Sequence, residues 1–377
     1  MKTTTTTTTT TRTTTTGARA RPAAARSLPL LADAAALVNY GWRGARLVEG
    51  FLRKRPIHCI VQVSNRCNLS CGFCSFWERP AARHDEMTVA DFEVLSAKLA
   101  EAGAMIVSIE GGEPLLRADI ADIVRAFARY HHPILFTNGW RVTPALANDL
   151  WRAGLSEIGV SLDYADPAQH DAHRGEPGTF DAALRAVEIL RDTAPHGPRQ
   201  MIMISVVMHD NVEQLGDLLR ISHRLGVKHQ MTLLSTGGDG RHDRAQRLPP
   251  PGTGARLLEL KKEFPHFITF SGYLEAIDRF LDGDVRTPCW AGERFLNVDH
   301  MGQVSPCIEK LHLVAGNLRR DPWDQIAARL GGYEETKSCT NCMTACRGFV
   351  EEMSGVPKAR SWGEFFGNFA NLGLSRR

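Results

Sequence analysis

Long hydrophobic runs are absent from this sequence of 377 residues, and so is any large excess of charge. No stretch of about 20 consecutive apolar residues occurs, so we predict no transmembrane span. The net charge is +3, and five basic residues precede the first acid, Asp33. Because subtracting those five charges leaves no basic excess, we expect no nucleic acid as a partner.

The cysteines are not spread along the chain as a disulfide framework would spread them. There are nine, an odd number, and most stand at short spacings, which is typical of metal ligands in a reducing compartment. We therefore predict a cytoplasmic protein. The first 27 residues contain thirteen threonines and no apolar segment of the kind that a secretory signal needs. We predict that residues 1–27 form a disordered tail.

The hydrophobic pattern divides the rest of the chain into five segments. Residues 28–56 have apolar side chains at helical spacing, and we interpret them as a helix packed on the domain edge, with peripheral membrane contact as the alternative. Residues 57–248 alternate short apolar runs with helical patterns. Residues 249–288 form a proline-rich linker and two helices, residues 289–350 carry a second cysteine group, and residues 351–377 are predicted to be a C-terminal tail.

The alternation in residues 57–248 predicts βαβ units around a parallel sheet. Six strands are too few for a closed eight-stranded barrel, so we predict a partial (β/α)6 TIM-like barrel with a small C-terminal cysteine-rich module. The predicted strands are 59–63, 105–109, 134–137, 157–162, 201–207 and 230–234. The helices predicted between them are 89–102, 120–130, 144–153, 180–192 and 212–225.

Three cysteines directly follow the first predicted strand, with the spacing Cys67-x3-Cys71-x2-Cys74. The carboxyl end of a barrel strand faces the catalytic mouth, and one loop with three thiolates can hold one metal cluster. Three protein ligands on a four-iron cluster leave one iron open, which is typical of a catalytic site. A zinc loop that lacks its fourth ligand is the alternative.

This motif and its position resemble the radical S-adenosylmethionine (SAM) superfamily, and the resemblance covers residues 56–346. It implies that Cys67, Cys71 and Cys74 hold a [4Fe–4S] cluster whose open iron binds SAM. It also implies that an external one-electron donor such as flavodoxin or ferredoxin reduces this cluster. The resulting 5′-deoxyadenosyl radical would remove a hydrogen atom from a substrate. Phe73 matches the family's aromatic residue beside adenine.

Further motifs follow the predicted strands where the family binds SAM. A glycine pair lets the backbone approach a ligand closely, and the carboxylate after it can bind an ammonium group. The resemblance also implies that Ser161, after the fourth strand, contacts the ribose of SAM and that Arg174 binds the SAM carboxylate. A surface salt bridge is the alternative for Arg174. The predicted cofactor-binding residues are Phe73, Gly111, Gly112, Glu113, Pro114, Asn138, Ser161, Asp163 and Arg174.

The second cysteine group comprises Cys289, Cys307, Cys339, Cys342 and Cys346. The spacing of the first two resembles the opening of the family's SPASM and twitch modules, although a full SPASM module has more cysteines. The resemblance implies an auxiliary [4Fe–4S] cluster held by the first four, with Cys346 as a replacement ligand or a free thiol. A structural zinc site is the alternative.

An auxiliary cluster with four protein ligands can carry an electron but cannot bind substrate through iron, which favours oxidation of a substrate radical. The substrate is expected to be a small molecule or a peptide. Peptide modification and 5′-deoxyadenosyl transfer, as in hopanoid-biosynthesis relatives, are the alternative outcomes. A non-catalytic iron–sulfur or zinc scaffold is the alternative from another class.

The sequence identifies no catalytic acid or base. Four histidines have no cysteine or carboxylate at ligand spacing, and we predict that they are surface residues or internally hydrogen-bonded ones. They are His131, His132, His223 and His229.

Overall fold

A computed structural model describes Met1 and residues 27–195, 199–235, 237–239, 247–285, 289–354 and 358–370. Residues 2–26 of the predicted tail at 1–27 therefore lie outside the described residues. The described strands are β1 (His58–Ser64), β2 (Ile106–Gly111), β3 (His132–Thr137), β4 (Glu157–Ser161), β5 (Gln200–Val207), β6 (Lys228–Leu233), β7 (Phe295–Val298), β8 (Gln303–Ser305) and β9 (Gly316–Asn317). The described α-helices are α1 (Ser27–Leu52), α2 (Val89–Ala102), α3 (Ile120–Ala128), α4 (Pro144–Ala153), α5 (Pro167–Arg174), α6 (Thr179–Thr193), α7 (Leu215–Arg224), α8 (Thr253–Glu263), α9 (Ser271–Leu281), α10 (Trp323–Leu330), α11 (Glu334–Lys337), α12 (Ala345–Ser354) and α13 (Ala359–Ala370).

The strands form one open sheet. β1 to β6 are parallel and stand in the order β6-β5-β4-β3-β2-β1, and β7 joins β1 in parallel on its other side. β8 and β9 continue the sheet in antiparallel pairing. The prediction of a partial barrel of six parallel strands is confirmed. The β7–β8 hairpin turns at Gly302, whose φ is 84°, and it makes the cysteine-rich segment continuous with the barrel sheet.

Alternate residues of the parallel strands face two different regions. On β2, Val107 and Ile109 are fully buried in the hydrophobic core, whereas Ile106, Ser108 and Glu110 line an internal cavity. Every residue of β1 is buried, as expected for a parallel strand that is covered on both faces. The inner residues of the sheet are therefore available to a site inside the barrel.

Helix boundaries follow local signals in the sequence. α2 begins with a capping box, in which the Thr88 side chain accepts from the Asp91 backbone and the Asp91 side chain accepts from the Thr88 backbone. α4 begins at Pro144 after the cap Thr143 and ends before Gly154, which has a left-handed φ of 97°. Both helices have the predicted boundaries.

Residues 351–377, predicted to be a C-terminal tail, contain helical structure in the part that the structure describes. α12 extends to Ser354, and α13 covers Ala359–Ala370. Phe365 of α13 is buried against Leu47 and Phe51 of α1. These large side chains bury enough apolar surface to hold both helices at the domain edge, each contributing about 1.5–3 kcal/mol when fully buried. Among the described helices, none combines the length and the apolar character needed to cross a bilayer.

Candidate functional site

The carboxyl ends of the first strands open into a cavity of about 440 Å³. The loop of residues 65–75 after β1, here called the cluster loop, contributes Cys67, Cys71 and Cys74 to its wall. All five cysteines of the second group line the same cavity. The structure brings together in this way every predicted site residue except Pro114, which starts a buried 3-10 turn beside the cavity.

The glycine pair after β2 packs directly against the cluster loop. A Cβ atom on Gly111 would lie 2.0 Å from the backbone oxygen of Ser64, and one on Gly112 would lie 2.1 Å from that of Arg66. The backbone nitrogens of Gly112 and Glu113 donate to these same two oxygens, at 2.7 and 2.8 Å. The glycines therefore hold the second strand end against the start of the cluster loop.

Glu113 is buried at the wall of the cavity, with 1% of its surface exposed. Its carboxylate accepts from the Thr137 hydroxyl at 2.8 Å and from the backbone nitrogens of Leu115 and Asn138 at 3.0 and 2.8 Å. Burial raises the pKa of the Glu113 carboxyl, and these hydrogen bonds oppose the rise. The Asn138 amide donates to Asn68 Oδ1 at 3.0 Å, which links this group to the cluster loop.

Arg174 and Asp163 form an ion pair, as the alternative for Arg174 expects, but this pair is buried and does not lie at the surface. Arg174 Nη2 lies 2.5 Å from Asp163 Oδ2, and their side chains are 8% and 0% exposed. Burial alone would raise the pKa of Asp163, but Arg174 reverses this and the pKa is lowered. Among the described residues, Arg174 Nε is buried without a hydrogen-bond partner. The guanidinium thus keeps a free donor at the cavity wall.

The end of α5 also supports the cluster loop. The backbone carbonyls of Arg174 and His173 accept from the backbone nitrogens of Ser70 and Gly72, at 3.3 and 3.0 Å. The His173 ring stacks on Phe73, with 5.1 Å between ring centroids. The end of α5, which carries Arg174, therefore holds the loop that carries the cysteines.

Two of the first three cysteines, Cys67 and Cys71, lie in an environment that disfavours a thiolate unless a positive charge is nearby. Burial raises the pKa of Cys67 to about 12 and also raises that of Cys71. Cys71 Sγ lies 3.9 Å from Arg174 Nη1, and this cation opposes the rise. Cys71 is buried, and Cys67 and Cys74 are half-buried. Because metal binding requires thiolates, three such sulfurs, one of them beside a guanidinium whose Nε is unpartnered among the described residues, fit an iron–sulfur cluster with an anionic ligand.

The second cysteine group surrounds a buried arginine that sequence analysis missed. Arg347 is 1% exposed, and its Nη1 donates to the backbone oxygens of Cys339 and Cys342, at 3.3 and 3.1 Å. Burial would lower its pKa, but nearby Cys289 and the Glu351 carboxylate raise it. A fixed cation beside several thiols fits a cluster with thiolate ligands. The Cys-Arg sequence itself gave no signal of this role.

Cys346 differs from the other four because an imidazole contacts its sulfur. Cys346 Sγ lies 2.8 Å from His58 Nδ1, and His58 Nε2 lies 2.7 Å from Ser108 Oγ. Burial lowers the pKa of His58 to about 4 and raises that of Cys346 well above its usual value. A thiol and an imidazole therefore meet inside the barrel, where burial disfavours the charged form of each.

His131 and His132 are both buried, and His132 begins β3. His131 is internally bonded, with Met105 N donating to its Nδ1 at 3.2 Å and its Nε2 2.9 Å from the Ser96 carbonyl. His229 is buried in β6 and contacts the Ser205 hydroxyl at 2.9 Å. His131 and His229 are therefore internally hydrogen-bonded, and His223 lies at the surface, which are the two outcomes that the sequence predicts. Across the described residues, no three His, Cys, Asp or Glu side chains converge closely enough for a single metal ion.

Comparison with known proteins identifies the family. Residues 61–222 match the family model of the Radical SAM superfamily. The chain is 30% identical over 264 residues to the PqqA peptide cyclase of Streptomyces rochei, covering 67% of this chain and 69% of that protein. It is 28% identical to the mycofactocin maturase MftC of Mycolicibacterium smegmatis, covering 80% of each. It is 25% identical to the AdoMet-dependent heme synthase of Nitratidesulfovibrio vulgaris, covering 78% of this chain and 88% of that one.

The fold agrees with this assignment. The crystal structure of Streptococcus suis SuiB bound to S-adenosylmethionine superposes with a TM-score of 0.57 at 16% identity, covering 82% of this chain and 77% of that one. Enzymes of this superfamily use a [4Fe–4S] cluster and SAM, and the cysteine-rich C-terminal segment is consistent with a SPASM-type module. The cavity, the three-cysteine loop and these matches lead to one conclusion: the chain is an enzyme that belongs to the radical SAM superfamily.

Proposed function

We propose that the enzyme oxidises a substrate that is bound between a SAM-binding cluster and an auxiliary cluster. The observation that carries this proposal is that both cysteine groups line one cavity, so a single bound molecule can reach both. When bound, SAM and its cluster supply a 5′-deoxyadenosyl radical that takes a hydrogen atom from the substrate, and the auxiliary cluster supplies an acceptor for one further electron.

At the first group, Cys67, Cys71 and Cys74 would hold the SAM-binding cluster. The Glu113 carboxylate suits the SAM ammonium group, because Thr137 and two backbone nitrogens already fix its orientation. Arg174 Nε suits the SAM carboxylate, since it is a buried donor with no partner in the described part of the chain. The other proposed cofactor contacts are Phe73, Gly111, Gly112, Asn138, Ser161 and Asp163.

At the second group, the proposed ligands of the auxiliary cluster are Cys289, Cys307, Cys339 and Cys342. Arg347 holds the loop of the last two and offsets part of the thiolate charge. We leave Cys346 out of this set because its sulfur lies against His58 Nδ1 at 2.8 Å, and that contact leaves the thiol partnered within the protein. Four protein ligands would leave this cluster free to accept electrons.

A peptide is the substrate class that we propose. Two relatives with broad coverage are named as a peptide cyclase and a maturase. A small molecule is the second candidate, because the heme synthase matches over 88% of its length. Transfer of the 5′-deoxyadenosyl group remains a distinct outcome, since it would leave that group on the product. The proposed external reductant is a flavodoxin or ferredoxin, in the reducing cytoplasm.

The first experiment measures SAM cleavage by the holoenzyme. The protein is reconstituted with iron and sulfide without air, reduced with dithionite and supplied with SAM, and 5′-deoxyadenosine is quantified by chromatography. We expect product from the wild type and from Cys59→Ala, a control cysteine buried on β1 outside the cavity. We expect none from Cys71→Ala. Equal product from both variants would contradict the assigned cluster ligands.

The second experiment measures iron per chain. Two clusters give about eight iron atoms. Cys342→Ala is expected to lose about four of them and still cleave SAM, whereas Cys346→Ala is expected to keep all of them. Loss of iron from Cys346→Ala with retention in Cys339→Ala would reassign the fourth ligand. Zinc in place of iron at the second group would refute the auxiliary cluster.

A third experiment measures the mass of a candidate peptide before and after the reaction. A peptide that the enzyme oxidises is lighter by two hydrogen atoms, which mass spectrometry detects.

A further inference from the structure

Helix α1 has two faces of opposite environment. Leu47 and Phe51 are buried against the C-terminal helices. On the other side, Val38, Trp42 and Leu52 are 73%, 50% and 70% exposed. Exposure of one large apolar side chain is ordinary, but three on one helix form a patch that needs an explanation.

The exposed side chains of α1 lie along one line. With about 100° of rotation per residue, positions 38, 42, 45, 49 and 52 fall within an arc of about 80°. Ala45 in this arc is also exposed. Glu49 is its one acid, and it is paired with Arg46 at 3.0 Å and with Arg53 at 3.2 Å. The face is therefore an apolar stripe with its negative charge neutralised.

Helix α13 extends the apolar surface. It packs on Phe51 of α1 through Trp362 and Phe365, with ring centroids 5.4 and 5.6 Å apart. Phe366 stacks on Trp362 and is 51% exposed. Within the described residues after Met1, eight large hydrophobic side chains are exposed. Four of these, Val38, Trp42, Leu52 and Phe366, lie on this pair of helices.

The charge around the stripe is basic. Arg53 and Lys54 at the end of α1 are exposed, and together with Arg46 they outnumber the one acid of the stripe, Glu49. Lys358 before α13 is paired with Glu352 at 2.9 Å and adds no net charge. The preceding segment of the sequence, residues 2–26, contains five basic residues and no acid. The rest of the chain has no such excess. An apolar stripe that contains tryptophan and has a basic border is complementary to an anionic lipid surface, where indole rings and basic side chains both lie at the head groups.

We propose that the outer face of α1, continued by Phe366 of α13, binds the surface of an anionic phospholipid membrane. The helix would lie in the plane of the interface, with Val38, Trp42 and Leu52 among the head groups and the basic residues beside them. No transmembrane span is involved. This proposal does not depend on the radical reaction, because none of these four side chains lines the substrate cavity.

The test is sedimentation of the full-length holoenzyme with two kinds of vesicle, kept without air. One is phosphatidylcholine alone, and the other contains equal parts of phosphatidylcholine and phosphatidylglycerol. We expect binding to the anionic vesicles that weakens as salt is added, because exposed charges are screened. The triple variant Val38→Ser/Trp42→Ser/Leu52→Ser is expected to bind them roughly tenfold more weakly or worse, because the large apolar contacts are gone.

The matched control is Val94→Ser/Val314→Ser, which removes two exposed apolar side chains elsewhere, 51% and 44% exposed. This control is expected to bind vesicles as the wild type does, and iron content and circular dichroism establish that both variants are folded. No binding of the wild type to anionic vesicles overturns the proposal. So does equal weakening by the control, or self-association of the wild type that the triple variant abolishes, since a second copy would then cover the face.

Discussion

The buried pair of Asp163 and Arg174 gives a prediction with a defined size. Asp163→Asn keeps the shape of the side chain but removes the charge that faces Arg174 Nη2 at 2.5 Å. An unpaired charge is then left in a site where Arg174 is 8% exposed. Removing one partner of a buried ion pair typically costs about 3–5 kcal/mol. We expect the metal-free chain to lose stability of this order.

Cys71 makes the penalty depend on the cluster. Its sulfur lies 3.9 Å from Arg174 Nη1, and it is a thiol in the metal-free chain but a thiolate when it binds iron. The thiolate can partly replace the missing carboxylate. We therefore expect Asp163→Asn to destabilise the reconstituted enzyme less than the metal-free chain.

The assay is urea unfolding without air, with and without chelator, followed by circular dichroism. Asp163→Asn/Arg174→Met is the control, because it removes both charges and is expected to recover most of the stability. A loss under about 1 kcal/mol in the metal-free single variant, or a double variant no more stable than the single one, would refute the reasoning.

Four further outcomes are expected. Leu95→Ala, fully buried on α2, should cost about 2–5 kcal/mol in urea unfolding, whereas the exposed neighbour Val94→Ala should change stability little; similar losses would contradict the packing of α2. Gly112→Ala should abolish SAM binding in equilibrium dialysis, because its Cβ would meet the Arg66 carbonyl at 2.1 Å; normal affinity would show that the loop can yield. Arg347→Met should lose about four irons while still forming 5′-deoxyadenosine; full iron content would remove Arg347 from the auxiliary site. The pKa of Asp163 is lowered in the folded chain, so its contribution to stability is present above its unfolded pKa of about 3.9 and is lost as pH falls further. Acid titration of the metal-free wild type should show this loss of stability, and acid titration of Asp163→Asn should not.

Much of the barrel could be predicted because its signals are local. α2 and α4 have the predicted bounds, since capping residues and proline fix where a helix starts. The six parallel strands coincide with short apolar runs because each one is buried by its neighbours and by helices. α5 was missed because it has only eight residues and few apolar ones.

For the glycine pair, the sequence predicts the position at the strand end correctly but not the group that the glycines approach. The sequence predicts that Gly111 and Gly112 allow close approach of a ligand. The structure shows that the close approach is to the backbone at Ser64 and Arg66. A motif identifies the strand end that carries it, but not the neighbour against which that strand end packs.

The sequence by itself determined the cluster loop, because three cysteines within eight residues share one loop in any fold. It also determined the strand and helix rhythm, which depends on backbone periodicity. Only the tertiary structure decided that the second cysteine group lines the same cavity as the first, and that Cys346 meets His58 across 288 positions of chain. Such contacts depend on how the sheet curves and how α12 packs beside it, and no local spacing encodes them.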